Sequence, residues 1–394
     1  MPGTELFGKE ERKEVMDVLE TGVLFRYNND EARKGIWKAK TFEKEFADFH
    51  GVKHCHMVSS GTAADNVSLA AAGIGAGDEV IVPTFTFIAP VEAVVNCGAI
   101  PVFAEIDKTL CLSPEGIEAV ITPKTKAIML VHMVGAMAKL DEIIAICKKY
   151  NLVLIEDTAQ ALGGSYKRKP LGSYGDISCY SFDFFKIITA GEGGAVITNN
   201  DEIYEKAHTW SDHGHSHIGN NRGAEEHPIL GTNYRISELH AAVGLAQFRK
   251  IDFIIENQRA NKKVLKDYLK KFSQVTFREL PDEAGDSGTV INIFLPTAEE
   301  AERVAGEMAE AGLNAAYWYN NNYHYIKNWE HLKEMKTAAP VGLQFFDNLQ
   351  DYKTVKFPVS DDIISRLVSI YVKIMWTDEE LKDICDKFDQ VLGK

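Results

Sequence analysis

The cysteines lack any pairing pattern. Cys55, Cys97, Cys111, Cys147, Cys179 and Cys385 are scattered over 394 residues with no CxxC spacing, which argues against a disulfide framework or a thiolate metal cluster and predicts reduced, mostly buried thiols. Positive charge is scarce as well. Lys and Arg number 43 against 57 Asp and Glu, a formal net charge of −14; such a field repels phosphate backbones and anionic lipid, so neither nucleic acid nor a membrane surface is expected as a partner. No run of roughly 18 apolar residues is free of charge, and the start, MPGTELFGKEERKEV, has no basic region leading into an apolar stretch, so a cytoplasmic protein is expected. Repeats, low-complexity tracts and linkers are also missing. The length itself excludes a small stapled scaffold and calls for two sub-domains, one larger than the other.

What is present is an alternation of short apolar runs with helical patterns from about Glu43 to Pro296, the rhythm of a sheet covered on both faces. Phe42, Phe46 and Phe49 recur at helical spacing before Gly51, and Ser60-Gly61-Thr62 opens an alanine-rich helix. Glu79 to Pro83, Pro101 to Ala104, Ala127 to His132, Leu152 to Ile155 and Ile177 to Phe182 read as buried strands. A single long helix is expected from about Ile236 to Phe272, bridging two sub-domains. Beyond it come strands at Thr289 to Leu295 and Leu313 to Tyr319, a helix from Thr297 to about Ala311, and a last helix opened by the capping pair Thr377 and Glu380.

Chemistry concentrates between Leu152 and Thr198. The run Leu152 to Ile155 leads through Glu156 to Asp157, a carboxylate at the carboxyl end of a strand, where ligands bind in open α/β sheets. A lone acid there serves equally well as a helix cap or ion-pair partner. Lys186 follows Asp183-Phe184-Phe185 and precedes Gly191-Glu192-Gly193-Gly194. An amine set among aromatics and glycines suits condensation with a carbonyl, although an isolated lysine in a turn is ordinary. His213, His215 and His217 alternate in a polar loop; without further fixed ligands they are not read as a metal site, and no metal is expected.

Six motifs in fixed order remove these ambiguities: Ser59-Ser60-Gly61-Thr62-Ala63-Ala64, Pro83-Thr84-Phe85-Thr86-Phe87, Glu156-Asp157-Thr158-Ala159-Gln160-Ala161, Ser181-Phe182 with Lys186, Gly191-Glu192-Gly193-Gly194, and Gly231-Thr232-Asn233-Tyr234-Arg235. Together they resemble the DegT/DnrJ/EryC1/StrS family of sugar aminotransferases over nearly the whole chain. The resemblance implies the α/β fold type I of pyridoxal phosphate (PLP) enzymes: a large domain with a mostly parallel central sheet covered by helices, over 1–250 with the N-terminal segment, and a smaller α+β domain over 251–394. It also implies PLP as cofactor. Ser60, Gly61, Thr62 and Ser181 are then expected around the phosphate, Phe87 on the ring face, Asp157 at the ring nitrogen, Gln160 at a ring or substrate oxygen, and Lys186 as the catalytic amine. Asn233 matches a family asparagine that reaches the phosphate of the opposite subunit, which implies a homodimer with composite sites.

Two segments depart from the common family pattern, Phe25-Arg26-Tyr27-Asn28-Asn29-Asp30 and Tyr317 to Trp329. They look like one branch of the family, whose members transfer the amino group of L-glutamate to C8 of 3,8-dideoxy-8-oxo-manno-octulosonate, a free sugar acid destined for lipopolysaccharide. Such a substrate needs a cation for its carboxylate. Arg26 is the expected one, with Tyr27, His213, Tyr323 and His324 as polar partners and a structural salt bridge as the other role open to Arg26. A nucleotide-linked keto-hexose is the alternative acceptor. A PLP-dependent sugar dehydratase and a non-catalytic PLP-binding regulator are further alternatives; the retained Lys186 favours amine transfer.

Overall fold

The computed structural model describes residues 2–219, 221–347 and 349–393. Its strands, in chain order, are β1 His54–Val58, β2 Glu79–Pro83, β3 Ile100–Ala104, β4 Thr125–Val131, β5 Val153–Asp157, the short hairpin of β6 Ser165–Tyr166 and β7 Lys169–Pro170, β8 Ile177–Ser181, β9 Gly194–Thr198, β10 Thr276–Phe277, β11 Val290–Phe294, β12 Ala315–Tyr317 and β13 Leu367–Tyr371. Seven of them form one sheet in the order β1-β9-β8-β5-β4-β2-β3. Pairings β2 with β3, β2 with β4, β4 with β5 and β5 with β8 are parallel; β9 alone runs against its neighbours β8 and β1. Parallel strands covered on both faces bury every side chain, and β2, β3 and β8 are buried throughout. This is the expected mostly parallel sheet.

Helix Gly61–Ala71 lies against β8 and β9 and against helices Ala89–Asn96 and Asp201–Trp210. Its run of Ala63, Ala64, Val67 and Leu69 is small enough for close approach and is fully covered. The second sheet is antiparallel, in the order β10-β11-β13-β12. Its core joins Ile293 of β11 and Val368 of β13 to Leu265, Val304 and Phe388 from helices Ile251–Leu269, Ala298–Glu310 and Asp378–Leu392. The long helix expected from Ile236 to Phe272 is two helices, Glu238–Phe248 and Ile251–Leu269, parted at Arg249-Lys250. The first packs on the N-terminal helices Lys9–Thr21 and Lys38–His50, the second on Asp378–Leu392, so the break lets each piece serve a different core. All six cysteines are free thiols. No described helix is long and apolar enough to cross a membrane.

Candidate active site

Parallel strands deliver their carboxyl ends to one edge of the sheet, and there a cavity of about 720 Å³ opens. The turn after β1 contributes Ser60, whose Oγ caps helix Gly61–Ala71 by accepting the Ala63 N–H at 3.0 Å. No carbonyl of that helix can reach the first-turn amides of Gly61 and Thr62, which stand at its positive end and line the cavity. Gly61 has no space for a side chain: a Cβ there would stand 2.6 Å from Ser181 Cβ and 2.8 Å from Ser181 Oγ. That contact presses the hydroxyl at the end of β8 against the helix start, forming a compact anion cradle.

Phe87 enters from the loop after β2. Its loop is sewn to the segment that follows β12, with Thr86 N–H donating to the His324 carbonyl at 3.0 Å and Ile326 N–H to the Thr84 carbonyl at 3.1 Å. One lattice of hydrogen bonds thereby fixes Phe87, Tyr323 and His324 together, with the Phe87 and His324 rings 5.4 Å apart. The Lys186 Nζ lies 6.0 Å from the centre of the Phe87 ring. His324 is held neutral at pH 7: burial first, and the Lys186 charge second, bring its imidazole down to about 4.

Asp157 ends β5, where its Oδ1 accepts the Ala159 N–H at 2.9 Å. Burial raises its carboxyl above the usual range, while the Ala159 amide and the charge of Lys186 work against that rise. Behind it, Glu156 turns to the opposite face and fixes the strand end. It accepts His132 Nε2 at 2.9 Å and the amides of Gly172 at 3.0 Å and Tyr174 at 2.7 Å. Burial opposes the charge on Glu156, but these donors prevail and its carboxyl is held below the ordinary value. Gln160 is oriented by the Val134 N–H, which donates to its Oε1 at 3.1 Å.

Ser60, Gly61, Thr62, Phe87, Asp157, Gln160, Ser181 and Lys186 thus share one cavity with Tyr323 and His324. Four expected residues do not line it. Asn233 is exposed and pairs through its backbone with Asp212. His213 is exposed in the same loop region, with a left-handed φ of 56°. Arg26 corrects the expectation of a substrate contact within its own chain. It is only 3% exposed; Nη2 pairs with Glu43 and Nη1 donates to the Met57 carbonyl. Arg26 takes the structural salt bridge because the helix carrying Glu43 packs on β1 directly above it. Tyr27 is buried at 8% exposure, its ring 4.5 Å from that of His217.

The sequence reading missed Asp65, Asn314, Trp318 and Tyr371, all of which line the cavity. Asp65 had a signal: it is the one charged residue of the alanine-rich helix Gly61–Ala71. Asn314 and Tyr371 sit at the margins of the second sheet, and only the tertiary fold brings them here.

A buried acid, a phenyl face, an amine and a hydroxyl-and-amide cradle suit a phosphorylated, protonated heteroaromatic aldehyde, so the residues fit pyridoxal phosphate. Residues 6–389 match the model of the DegT/DnrJ/EryC1/StrS aminotransferase family. The chain belongs to this family. Its cofactor is accordingly pyridoxal phosphate, and it is a PLP-dependent sugar aminotransferase. It is 34% identical to a GDP-perosamine synthase of Vibrio cholerae over 88% of both chains. It is also 43% identical to a GDP-perosamine synthase of Caulobacter vibrioides over 59% of this chain and 62% of that one. An aminotransferase from Psychrobacter cryohalolentis superposes with a TM-score of 0.85 at 29% identity, covering 98% of this chain and 97% of the other.

Proposed function

We propose that this aminotransferase moves an amino group from an amino-acid donor to the carbonyl of a sugar, with Lys186 as the proton carrier and Asp157 as the anion at the ring nitrogen. The observation that carries the reading is the convergence of Lys186, Asp157, Phe87 and the Gly61–Ser181 cradle, from four separate strand ends, on one cavity. Bound there, pyridoxal phosphate supplies an electron sink that acidifies the carbon bearing the transferred nitrogen. Ser60, Thr62, Ser181 and the first-turn amides hold its phosphate, and Phe87 covers one ring face. Asp157 keeps the ring nitrogen protonated. The Lys186 amine is the group that would carry a proton between the substrate carbon and the cofactor carbon, from donor to cofactor in the first half-reaction and from cofactor to sugar in the second. Neutral His324 presents a hydrogen bond to the acceptor without adding charge beside that amine.

The acceptor best supported is a nucleotide-linked keto-hexose, since GDP-perosamine synthases stand among the relatives. One observation favours a second acceptor, the free 8-oxo octulosonate with L-glutamate as donor: Trp318, Tyr323 and His324, from the segment that looks like the octulosonate branch, form a wall of the cavity. Supplying the protein with glutamate and either sugar, then measuring 2-oxoglutarate and the aminated product, separates the two. Absence of 2-oxoglutarate with either sugar, from protein carrying its cofactor, refutes glutamate as the donor to these acceptors. Borohydride reduction followed by peptide mapping tests the amine, and a label on any lysine other than Lys186 refutes its role.

A further inference from the structure

Asp65 has no part in the reaction described above, yet it lines the same cavity as Asp157 and is only 3% exposed. Helix Gly61–Ala71 lays it over Cys179 of β8, the residue in register with Asp157 on the neighbouring strand. The two carboxyls are unequally provided for. Asp157 accepts the Ala159 amide, whereas among the described residues Oδ1 of Asp65 has no hydrogen-bond partner. The nearby Cys179 thiol is a weak donor shared among Asp65 itself, Ser68 Oγ at 3.0 Å and the Ala64 carbonyl, whereas the donor to Asp157 is a backbone amide. The charged and titratable groups facing the pair are Lys186 from the loop after β8, Cys179 on β8, and His132 after β4. His132 is itself bound to Glu156. One lysine therefore serves two buried acids.

Two like charges sharing a site with a single cation cannot both remain, and the group with the poorer hydrogen bonding keeps the proton. Burial first, and the charge of Asp157 second, raise the Asp65 carboxyl well above the usual range. The Cys179 thiol is pushed up by burial first and by its acidic neighbours second, so it stays uncharged.

We propose that Asp65 and Asp157 form an acid pair carrying one proton at the ring-nitrogen end of the cavity, with the proton on Asp65 and the negative charge on Asp157. Asp65 is then a positioning residue: by staying neutral it leaves Asp157 as the sole anion facing the cofactor. The proposal rests on the cofactor reading for its role but not for its protonation, which belongs to the protein alone.

The test compares wild type, Asp65→Asn and Asp157→Asn, each freed of cofactor. A carboxyl whose folded-state value is raised gives stability that is lost as pH rises toward that value. The stability of Asp65→Asn relative to wild type, from thermal unfolding between pH 5 and 9, should therefore increase with pH. Asparagine imitates the protonated acid, so the Kd for added pyridoxal phosphate at pH 7 should stay within about threefold of wild type, while Asp157→Asn raises it by about tenfold or more. A relative stability that does not change with pH overturns the proposal. So does an Asp65→Asn Kd raised as much as that of Asp157→Asn, because Asp65 would then be a second carboxylate at the ring. Should Asp65→Asn fail to fold, the wild-type apo-protein labelled with carbon-13 aspartate decides: a carboxyl still protonated at pH 7 supports the pair, and its absence overturns it. If wild type takes up no pyridoxal phosphate, the cofactor reading fails, while the stability profile still decides the acid pair.

Discussion

Asp157 and Arg26 show how alike two buried charges are in sequence and how differently a fold uses them. Asp157 borders a cavity, and its charge is available to a ligand; an amide in its place cannot hold a proton on the ring nitrogen. Asp157→Asn should lower kcat by about a hundredfold or more while leaving the fold intact, as measured by steady-state kinetics beside a far-ultraviolet spectrum. Arg26 does not line that cavity. Burial works against the charge on Glu43, but Arg26 prevails and draws its carboxyl down to about 2. Arg26→Ala strands that carboxylate and should cost about 3–5 kcal/mol of stability, with the sugar KM unchanged in whatever protein remains folded. The pH dependence has a definite sign. Glu43 has a depressed folded value, so its contribution is present above the ordinary carboxylate range near 4.5 and is lost as pH falls toward 2. Acid unfolding curves of wild type and Arg26→Ala should thus converge as pH drops through that window; curves that stay parallel would remove the ion pair from the account.

Among the elements, helix Gly61–Ala71 carries the most function per residue, because its start is both cradle and spacer. Gly61→Ala places a methyl on Ser181, so either the helix or the end of β8 must shift. Cofactor Kd should rise by about tenfold, and at a fixed excess of cofactor the stabilisation it gives should fall by about 1.4 kcal/mol; an unchanged Kd would show that the cradle does not depend on this contact. The elements that were legible in the sequence are those with punctuation. Glu79–Pro83 ends at its proline and was placed to the residue, and Thr377 with Glu380 marks the final helix by its capping pair. Strands β1, β9 and β13 went unread. They are five-residue runs whose meaning is given only by partners far along the chain: β1 interleaves His54 and His56 with its apolar residues, β13 carries Ser369 amid its apolar run, and β9 begins on a glycine-rich loop. The break at Arg249-Lys250 was hidden because no glycine or proline marks it and the apolar spacing runs on across it. The residues expected around a cofactor that do line the cavity were readable because each sits in a short motif at a strand end. Arg26 was not, because a charge in an unusual segment does not reveal which way the fold will turn it.

For the whole molecule, the question is why Asn233, read as part of the site, lies outside the cavity of its own chain. Three residues before it Leu230 is 94% exposed; Ile218 is 79% exposed, and beside Lys186 Phe184 and Phe185 are 55% and 65% exposed. Large apolar side chains left this exposed suit an interaction surface, and a second copy of the chain is the occupant that would also carry Asn233 to a phosphate cradle. The dimer is therefore a prediction with a functional readout. In an isologous pair each site combines Lys186 from one subunit with Asn233 from the other. Mixing Lys186→Ala chains with chains bearing Asn233→Ala should create hybrids in which one site of the two has lost both residues and the other keeps both. Activity should reappear on mixing, to at most about a quarter of the wild-type value if subunits exchange at random. Two inactive parents that stay inactive after exchange is verified by mass, or a fully active monomer by sedimentation at assay concentration, would place Asn233 outside the active site altogether.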